Sequence, residues 1–192
     1  GKPTLQEKLG DINFEISANS FFQTNSSMAE QLYQTALDIA ELKGDEVLYD
    51  LYCGTGSISL FAAKTVKEVH GFEVIVSAVE DATRNAVQNG IGNAYFHIAN
   101  LDNFFKFGKG KKYPKPNVIF IDPPRAGMHK FMTNYLPKFG AEKIVYISCN
   151  PSTQARDAEI LQNRGYRLDN LTIVDMFPHT PHIESVGVFK KY

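Results

Sequence analysis

Two short runs, Val118-Ile119-Phe120-Ile121 and Ile144-Val145-Tyr146-Ile147, carry β-branched or aromatic residues at every position. A strand with one face in water alternates apolar and polar residues, so unbroken runs of this kind belong at the centre of a parallel sheet covered by helices on both faces. Further strand-like segments fall at Val47–Leu51, Val66–Phe72 and Ala94–Ile98, separated by helical patterns. A helix is expected from Val76 to Asn89, stopped by Gly90, and another from Pro151, with Ala155, Ala158 and Leu161 facing inward. Two last strands, near Leu171–Val174 and Val186–Phe189, have little between them but a Pro-rich loop, which predicts an antiparallel hairpin at one sheet edge. The expectation is an α/β fold with a mostly parallel seven-stranded sheet.

The first forty residues depart from this pattern. Ile12–Ile16 alternates like a short strand, Phe21-Phe22-Gln23-Thr24-Asn25 reads as a loop, and a helix begins near Ser27, where Ser27 and Glu30 have capping-box spacing. Met28, Leu32, Ala36, Ile39 and Ala40 would share its buried face. We divide the chain into a leading segment, residues 1–45, and a catalytic domain, residues 46–192. The opening Gly1-Lys2-Pro3 suggests a piece of a longer protein.

Composition excludes more than it suggests. No apolar run approaches the roughly 18 residues of a membrane span, and no signal peptide is visible. Two cysteines, Cys53 and Cys149, make neither a metal-ligand set nor a disulfide framework, so a reducing cytoplasm with free thiols fits best. A net charge of −1 gives no hint of nucleic-acid binding. Five lysines between Lys106 and Lys115 could follow phosphates, but a solvated loop explains them equally well.

The first strand ends in Asp50-Leu51-Tyr52-Cys53-Gly54-Thr55-Gly56, a glycine turn into a helix. Ligands of open α/β sheets bind at such strand ends, where Gly54 and Gly56 let the backbone approach closely. Glu73, at the end of the second strand, can accept both ribose hydroxyls of a nucleoside. A dinucleotide turn requires a third glycine where this chain has Ser59. S-adenosylmethionine has no pyrophosphate and tolerates the change, so a methyltransferase is favoured over a dehydrogenase; the edge hairpin is a hallmark of the same fold. Cys53 is assigned to packing beside the cofactor.

Two motifs end the central strands. Asp122-Pro123-Pro124-Arg125 makes a rigid wall with an acceptor aimed into the cleft, as in enzymes that hold a flipped base. Exocyclic-amine methyltransferases usually follow the prolines with an aromatic residue; here Arg125 suits a phosphate or an oxyanion better. In Ser148-Cys149-Asn150-Pro151, Asn150 and Pro151 fit the N-cap and first position of a helix, so Cys149 should feel a field that favours thiolate. In Asp175–Glu184, the two prolines argue against a metal site of His179, His182 and Glu184, and Glu184 is better placed as a general base. His70 and His97 read as ordinary strand-end or surface histidines.

These parts suit methylation at carbon 5 of uracil. Thiolate addition at carbon 6 makes carbon 5 nucleophilic, and a base must later remove the carbon-5 proton so that the thiolate can leave. No metal is needed. Phe21–Asn25, Asp50–Gly56, Asp122–Arg125, Ser148–Pro151 and Phe177–Glu184 together resemble the RNA 5-methyluridine (uracil-5) methyltransferase family, from about Phe14 to the end of the chain. The resemblance implies a Rossmann-like S-adenosylmethionine methyltransferase fold, a monomer acting on a flipped uracil in RNA, Cys149 as nucleophile and Glu184 as base. It places Gln23, Tyr52, Glu73, Asn100 and Asp122 against the cofactor or the target base, with Ser57 where many members carry Asn. Phe21–Asn25 and Phe177–Thr180 look more like the 23S ribosomal RNA branch than the transfer-RNA branch. Family members usually carry an N-terminal oligonucleotide-binding barrel, and some an iron–sulfur cluster; neither is in this chain, which would then bind RNA poorly. Cytosine-5 methylation, and an RNA-binding scaffold that keeps only the cofactor site, are the competing readings.

Overall fold

The computed structural model describes residues 4–101 and 112–192, so Lys106, Lys109 and Lys111 of the lysine-rich segment lie outside the described residues. The chain begins with an antiparallel hairpin, β1 (Thr4–Leu9) and β2 (Ile12–Ser17). β1 is missing from the sequence reading because only Leu9 in it is buried and its pattern is mostly polar. Helix α1 (Ser26–Ala40) follows. Its N-cap is Asn25, whose side chain accepts from Met28 N, so the expected Ser27/Glu30 capping box does not form. Ser27 donates to Asn25 Oδ1 and Glu30 accepts from Gly10 N instead. The buried face rotates accordingly to Ala29, Leu32, Tyr33, Ala36, Leu37 and Ala40, with Met28 and Ile39 at its margin.

Then come β3 (Val47–Leu51), α2 (Ser57–Ala62), β4 (Glu68–Glu73), α3 (Val76–Gln88), β5 (Ala94–Ile98) and β6 (Val118–Ile121). They are followed by α4 (Lys130–Tyr135), a 3-10 turn (Leu136–Phe139), β7 (Lys143–Ser148), α5 (Pro151–Gln162), β8 (Tyr166–Val174) and β9 (Glu184–Lys191). The main sheet has the order β5-β4-β3-β6-β7-β9-β8, parallel except for β9, which pairs antiparallel with both β7 and β8. The expected seven strands and C-terminal edge hairpin are both present. β9 is inserted between β7 and β8, so the last strand is interior and β8 forms the edge.

Side chains of the central strands alternate between two cores. Val118 and Phe120 of β6, with Val145 and Ile147 of β7, join the layer under α1 and α2. Ile119, Ile121, Ile144 and Tyr146 join the layer on the other face. Each such side chain contributes about 1.5–3 kcal/mol by leaving water, which is why these runs carry no polar face.

The N-terminal hairpin is tied to the sheet domain by polar groups. Asp81 and Asn85 of α3 and its C-cap Asn89 recur every four residues and accept from the backbone N–H of Ser17 (2.9 Å), Glu15 (2.8 Å) and Asn13 (2.9 Å). Four helical residues rise about 6 Å, and two strand residues about 6.7 Å, so one helix face can serve alternate amides of an adjacent strand. Phe14 and Ile16 meanwhile enter the core shared with Leu48 and Val145.

Candidate functional site

The glycine turn leaves β3 under restraint. Tyr52 has φ 68°, an uncommon conformation for a residue with a side chain, and the amides of Tyr52 and Cys53 both donate to Phe72 O at 3.0 and 3.2 Å. Gly56 has φ 81°, and a Cβ there would lie 2.8 Å from the Phe96 ring, so glycine is required on both counts. Glu73 binds the turn across the strand ends, accepting from Gly54 N at 3.2 Å and from Val74 N and Ile75 N at 2.6 and 3.0 Å. Tyr52, Glu73, Val74, Ala99, Asn100 and Leu101 line a cleft of about 140 Å³. Three predicted cofactor residues, Tyr52, Glu73 and Asn100, thus share one cleft, and Gly54, Gly56 and Ser57 stand in the adjoining turn. Gln23 does not line the cleft.

The same turn is suited to a nucleoside-bearing ligand. A Cβ on Gly54 would meet nothing within 4 Å. Among the described residues, the buried Asp50 Oδ1 and Thr55 Oγ1 beneath the turn have no hydrogen-bond partner, as is also true of His70 Nε2. Ser59, in the place of the third glycine, donates to Asp50 Oδ2 at 2.6 Å and so satisfies the other half of this buried carboxylate. Cys53 is buried beneath the turn, in keeping with a packing role.

Strand register assembles the second group. Ser148 of β7 faces Ser185 of β9, so the next antiparallel position sets Cys149 across from Glu184. Asp122 follows β6, the parallel neighbour of β7 on its other side. Glu184 is buried, whereas Asp122 and Cys149 are half-buried. Burial, opposed by the Arg125 charge, pushes the Glu184 carboxyl up to about 7. Burial, and then the charges of Glu184 and Asp50, push Asp122 up to about 8.

Cys149 is subject to influences of opposite sign. Burial, followed by the Glu184 and Asp122 carboxylates, raises its thiol above the ordinary value; Arg125 and a backbone hydrogen bond oppose this without overcoming it. The helix behaves as foreseen, with Asn150 as its N-cap, accepting from Ser152 N at 3.2 Å, and Pro151 in its first turn. Burial and two facing carboxylates, which the sequence alone did not place, act against the field of that helix. Ala155 is also exposed rather than inward-facing, since Gln154 and Asp157 take the buried side of α5. Gln154 donates to Tyr146 O at 2.8 Å and accepts from Ser185 Oγ at 2.8 Å, which makes these polar residues better core elements than an alanine.

Two more elements border the site. Asn25 Nδ2 donates to Met176 O at 2.9 Å and ties the Phe21–Asn25 loop, with its half-buried Gln23, to the loop that leads to Glu184. Tyr33 of α1 donates to Ser57 Oγ at 3.3 Å, and burial, Asp122, Asp50 and Glu184 all raise its phenol. The sequence reading missed Tyr33, which is absent from the face it assigned to this helix although it is buried. His70 is buried, not strand-end: its Nδ1 lies 2.9 Å from His97 Nε2, the rings stack at 5.2 Å, and burial lowers both imidazoles, His97 to about 4. Neither touches the site. Among the described residues, no helix is long and apolar enough to cross a membrane.

Comparisons with known proteins bear on the fold and the family. The family model for tRNA (Uracil-5-)-methyltransferase matches residues 3–192. An uncharacterized RNA methyltransferase of Chlorobaculum tepidum is 46% identical over the whole chain, which spans 40% of that protein. A second, from Lactobacillus johnsonii, is 44% identical, and the chain covers 42% of it. The chain therefore spans about two fifths of the length of these relatives. Among solved structures, the Pyrococcus abyssi tRNA (uracil-54, C5)-methyltransferase in complex with S-adenosyl-L-homocysteine superposes with a TM-score of 0.82 at 36% identity, over 98% of this chain and 45% of that one. A precorrin-6y C5,15-methyltransferase of Geobacter metallireducens shares the fold alone, at 17% identity and TM-score 0.70, over 93% of this chain and 94% of its own. The architecture is that of Rossmann-like S-adenosylmethionine methyltransferases, and the chain belongs to the tRNA (uracil-5-)-methyltransferase family.

Proposed function

We propose that the chain carries the catalytic part of an S-adenosylmethionine-dependent enzyme that methylates carbon 5 of a uracil in RNA. The observation that carries this reading is the β7–β9 register, which sets Cys149 across from Glu184, beside Asp122 and the glycine turn. Residues 46–192 hold most of the chemistry, while the leading segment supplies Gln23 and Tyr33.

Glu73 would hold the ribose hydroxyls, with Tyr52 and Asn100 along the cleft and Gly54 to Ser57 against the rest of the cofactor. When bound there, S-adenosylmethionine supplies an electrophilic methyl group for carbon 5. Cys149 Sγ forms a bond to carbon 6 of a base flipped into the site, and the ring electrons move toward the oxygen on carbon 4. Asp122, raised to about 8, is largely protonated at neutral pH and can donate a hydrogen bond to that oxygen as its charge grows. Glu184, near 7, is poised to take the carbon-5 proton; the carbon 6–sulfur bond then breaks and restores the thiolate. Because the thiol is raised, thiolate is a minority form at neutral pH.

The RNA could be ribosomal or transfer RNA. The wording of Phe21–Asn25 and Phe177–Thr180 supports 23S ribosomal RNA; the similar Pyrococcus abyssi protein, a tRNA (uracil-54, C5)-methyltransferase, supports the second reading. The test uses the full-length protein, the methyl donor and each RNA made with 5-fluorouridine, which has no carbon-5 proton to lose. A covalent adduct should form on one RNA and vanish in Cys149→Ala. Methylation by Cys149→Ala would refute the adduct mechanism.

A further inference from the structure

The loop from Asp122 to His129 carries both Asp122 and Arg125, and α5 with its N-cap grips it from Arg125 to Met128. Arg125 O accepts from Asn150 Nδ2 at 3.2 Å and from Thr153 Oγ1 at 3.4 Å. Arg156 Nη2 reaches Ala126 O at 3.2 Å and Met128 O at 3.4 Å. Asp157, 1% exposed, holds Arg156 through Oδ1 at 2.9 and 2.8 Å, and its Oδ2 accepts from Met128 N at 2.9 Å and Tyr146 OH at 2.8 Å. Gly127 makes the close approach possible. Its φ is +78°, and a Cβ there would fall 2.5 Å from Arg156 Nη2 and 2.9 Å from Asp157 Oδ2. One helix, beginning two residues after Cys149, therefore fixes both the thiol and the loop.

We propose that Asp157 is a positioning residue for methyl transfer: through Arg156 and the Met128 amide it locks Ala126–Met128, the segment that follows Arg125, onto α5, and so sets where the Arg125 guanidinium stands relative to Cys149 and Glu184. The catalytic consequence rests on Cys149 as nucleophile, but the clamp itself does not. The charged groups that face the Cys149 thiol are Glu184 from β9, with Asp122 and Arg125 from the clamped loop. Arg125 opposes the carboxylates at Cys149 and stabilises the ionised form of Glu184 as well. Asp122 stays at the end of β6, its amide on Leu51 O at 3.5 Å, so loosening the segment after it lets the guanidinium alone withdraw, and both groups then become harder to ionise.

The test is the pH profile of Cys149 alkylation by iodoacetamide, read by mass spectrometry of the Cys149 peptide, with the buried Cys53 as internal reference. Asp157→Asn keeps the side-chain shape and removes the charge that holds Arg156. Its alkylation midpoint should move to higher pH, and its rate at pH 7.5 should fall by about threefold, since the gain in intrinsic thiolate reactivity offsets part of the lost thiolate. A lowered melting temperature with an unmoved midpoint would mean that Asp157 is merely structural, and the proposal would be wrong. If the buried substitution prevents folding, Arg156→Gln decides, because that side chain is 52% exposed and the Asp157 carboxylate it leaves keeps its hydrogen bonds from the Met128 amide and the Tyr146 hydroxyl. Arg156→Gln must shift the midpoint the same way and Arg156→Lys must recover part of the shift; a wild-type profile in Arg156→Gln overturns the clamp. An error in the nucleophile assignment shows differently, as ordinary alkylation of the wild-type chain with no adduct on 5-fluorouridine RNA.

Discussion

Asp50→Asn tests how burial sets the protonation of this site. Asp50 is fully buried on β3, with Ser59 on one oxygen and no partner on the other among the described residues. Burial pushes its carboxyl up to about 7, the Glu73 charge adds to the effect, and the Ser59 hydrogen bond opposes it. In the unfolded chain an aspartate titrates near 3.9. An acid raised on folding contributes stability that is complete below the unfolded value and is lost as pH climbs through the folded one. For Asp50 that window runs from about 4 to about 7, and the loss amounts to at most about 4 kcal/mol. Asparagine cannot ionise, so the variant is spared this loss. It starts from a deficit of about 1–3 kcal/mol, because its new N–H groups are buried without acceptors. The offset and the slope separate cleanly in urea denaturation at pH 5, 6, 7 and 8 without cofactor. The stability of the variant relative to wild type should rise by about 2–3 kcal/mol across the series. A difference constant to within about 0.5 kcal/mol would mean that Asp50 is already ionised in the fold at pH 5, and the burial reasoning would be refuted.

Turnover should rise with pH through about 7 as Glu184 ionises and fall above about 8 as Asp122 loses the proton it donates; a rate that falls from about pH 6 to 7 contradicts the base role of Glu184. Glu184→Gln should accumulate RNA adduct on normal uridine, visible as a denaturation-resistant band, whereas unimpaired turnover removes Glu184 from the base role. Asn85→Ala strips the Glu15 amide of its 2.8 Å acceptor and should lower stability by about 1–3 kcal/mol, with faster hydrogen exchange at Glu15; unchanged exchange would show that the α3 ladder does not hold β2. Gly56→Ala, strained at φ 81° and pressed against Phe96, should lower stability by about 1–3 kcal/mol and weaken cofactor binding in a titration; wild-type affinity would remove the turn from the site.

Much of the sheet was legible because its cause is local. Val118–Ile121 and Ala94–Ile98 have the same bounds in sequence and structure, since covered strands need apolar residues at every or alternate positions. β1 was illegible because a strand with one buried residue has no such pattern. The α1 cap was misread because Asn25 gains a tertiary partner in Met176 O, which no capping rule contains. Gln154 and Asp157 were overlooked on α5 because a search for apolar spacing passes over polar residues whose partners lie on other strands.

By itself, the sequence determined which residue types stand at the strand ends: a glycine turn with Glu73, Asp122 before two prolines, and Cys149 before a helix. Those features rest on backbone conformation and short-range capping, which neighbouring residues dictate. Only the tertiary structure decided how the ends confront each other. The insertion of β9 beside β7 brings Glu184 against Cys149, and the α5 clamp brings Arg125 to the same place. Charges tens of residues apart in the chain then share one poorly hydrated space. Burial, and then the Glu184 and Asp122 charges, raise the thiol against the helix field that local capping supplies.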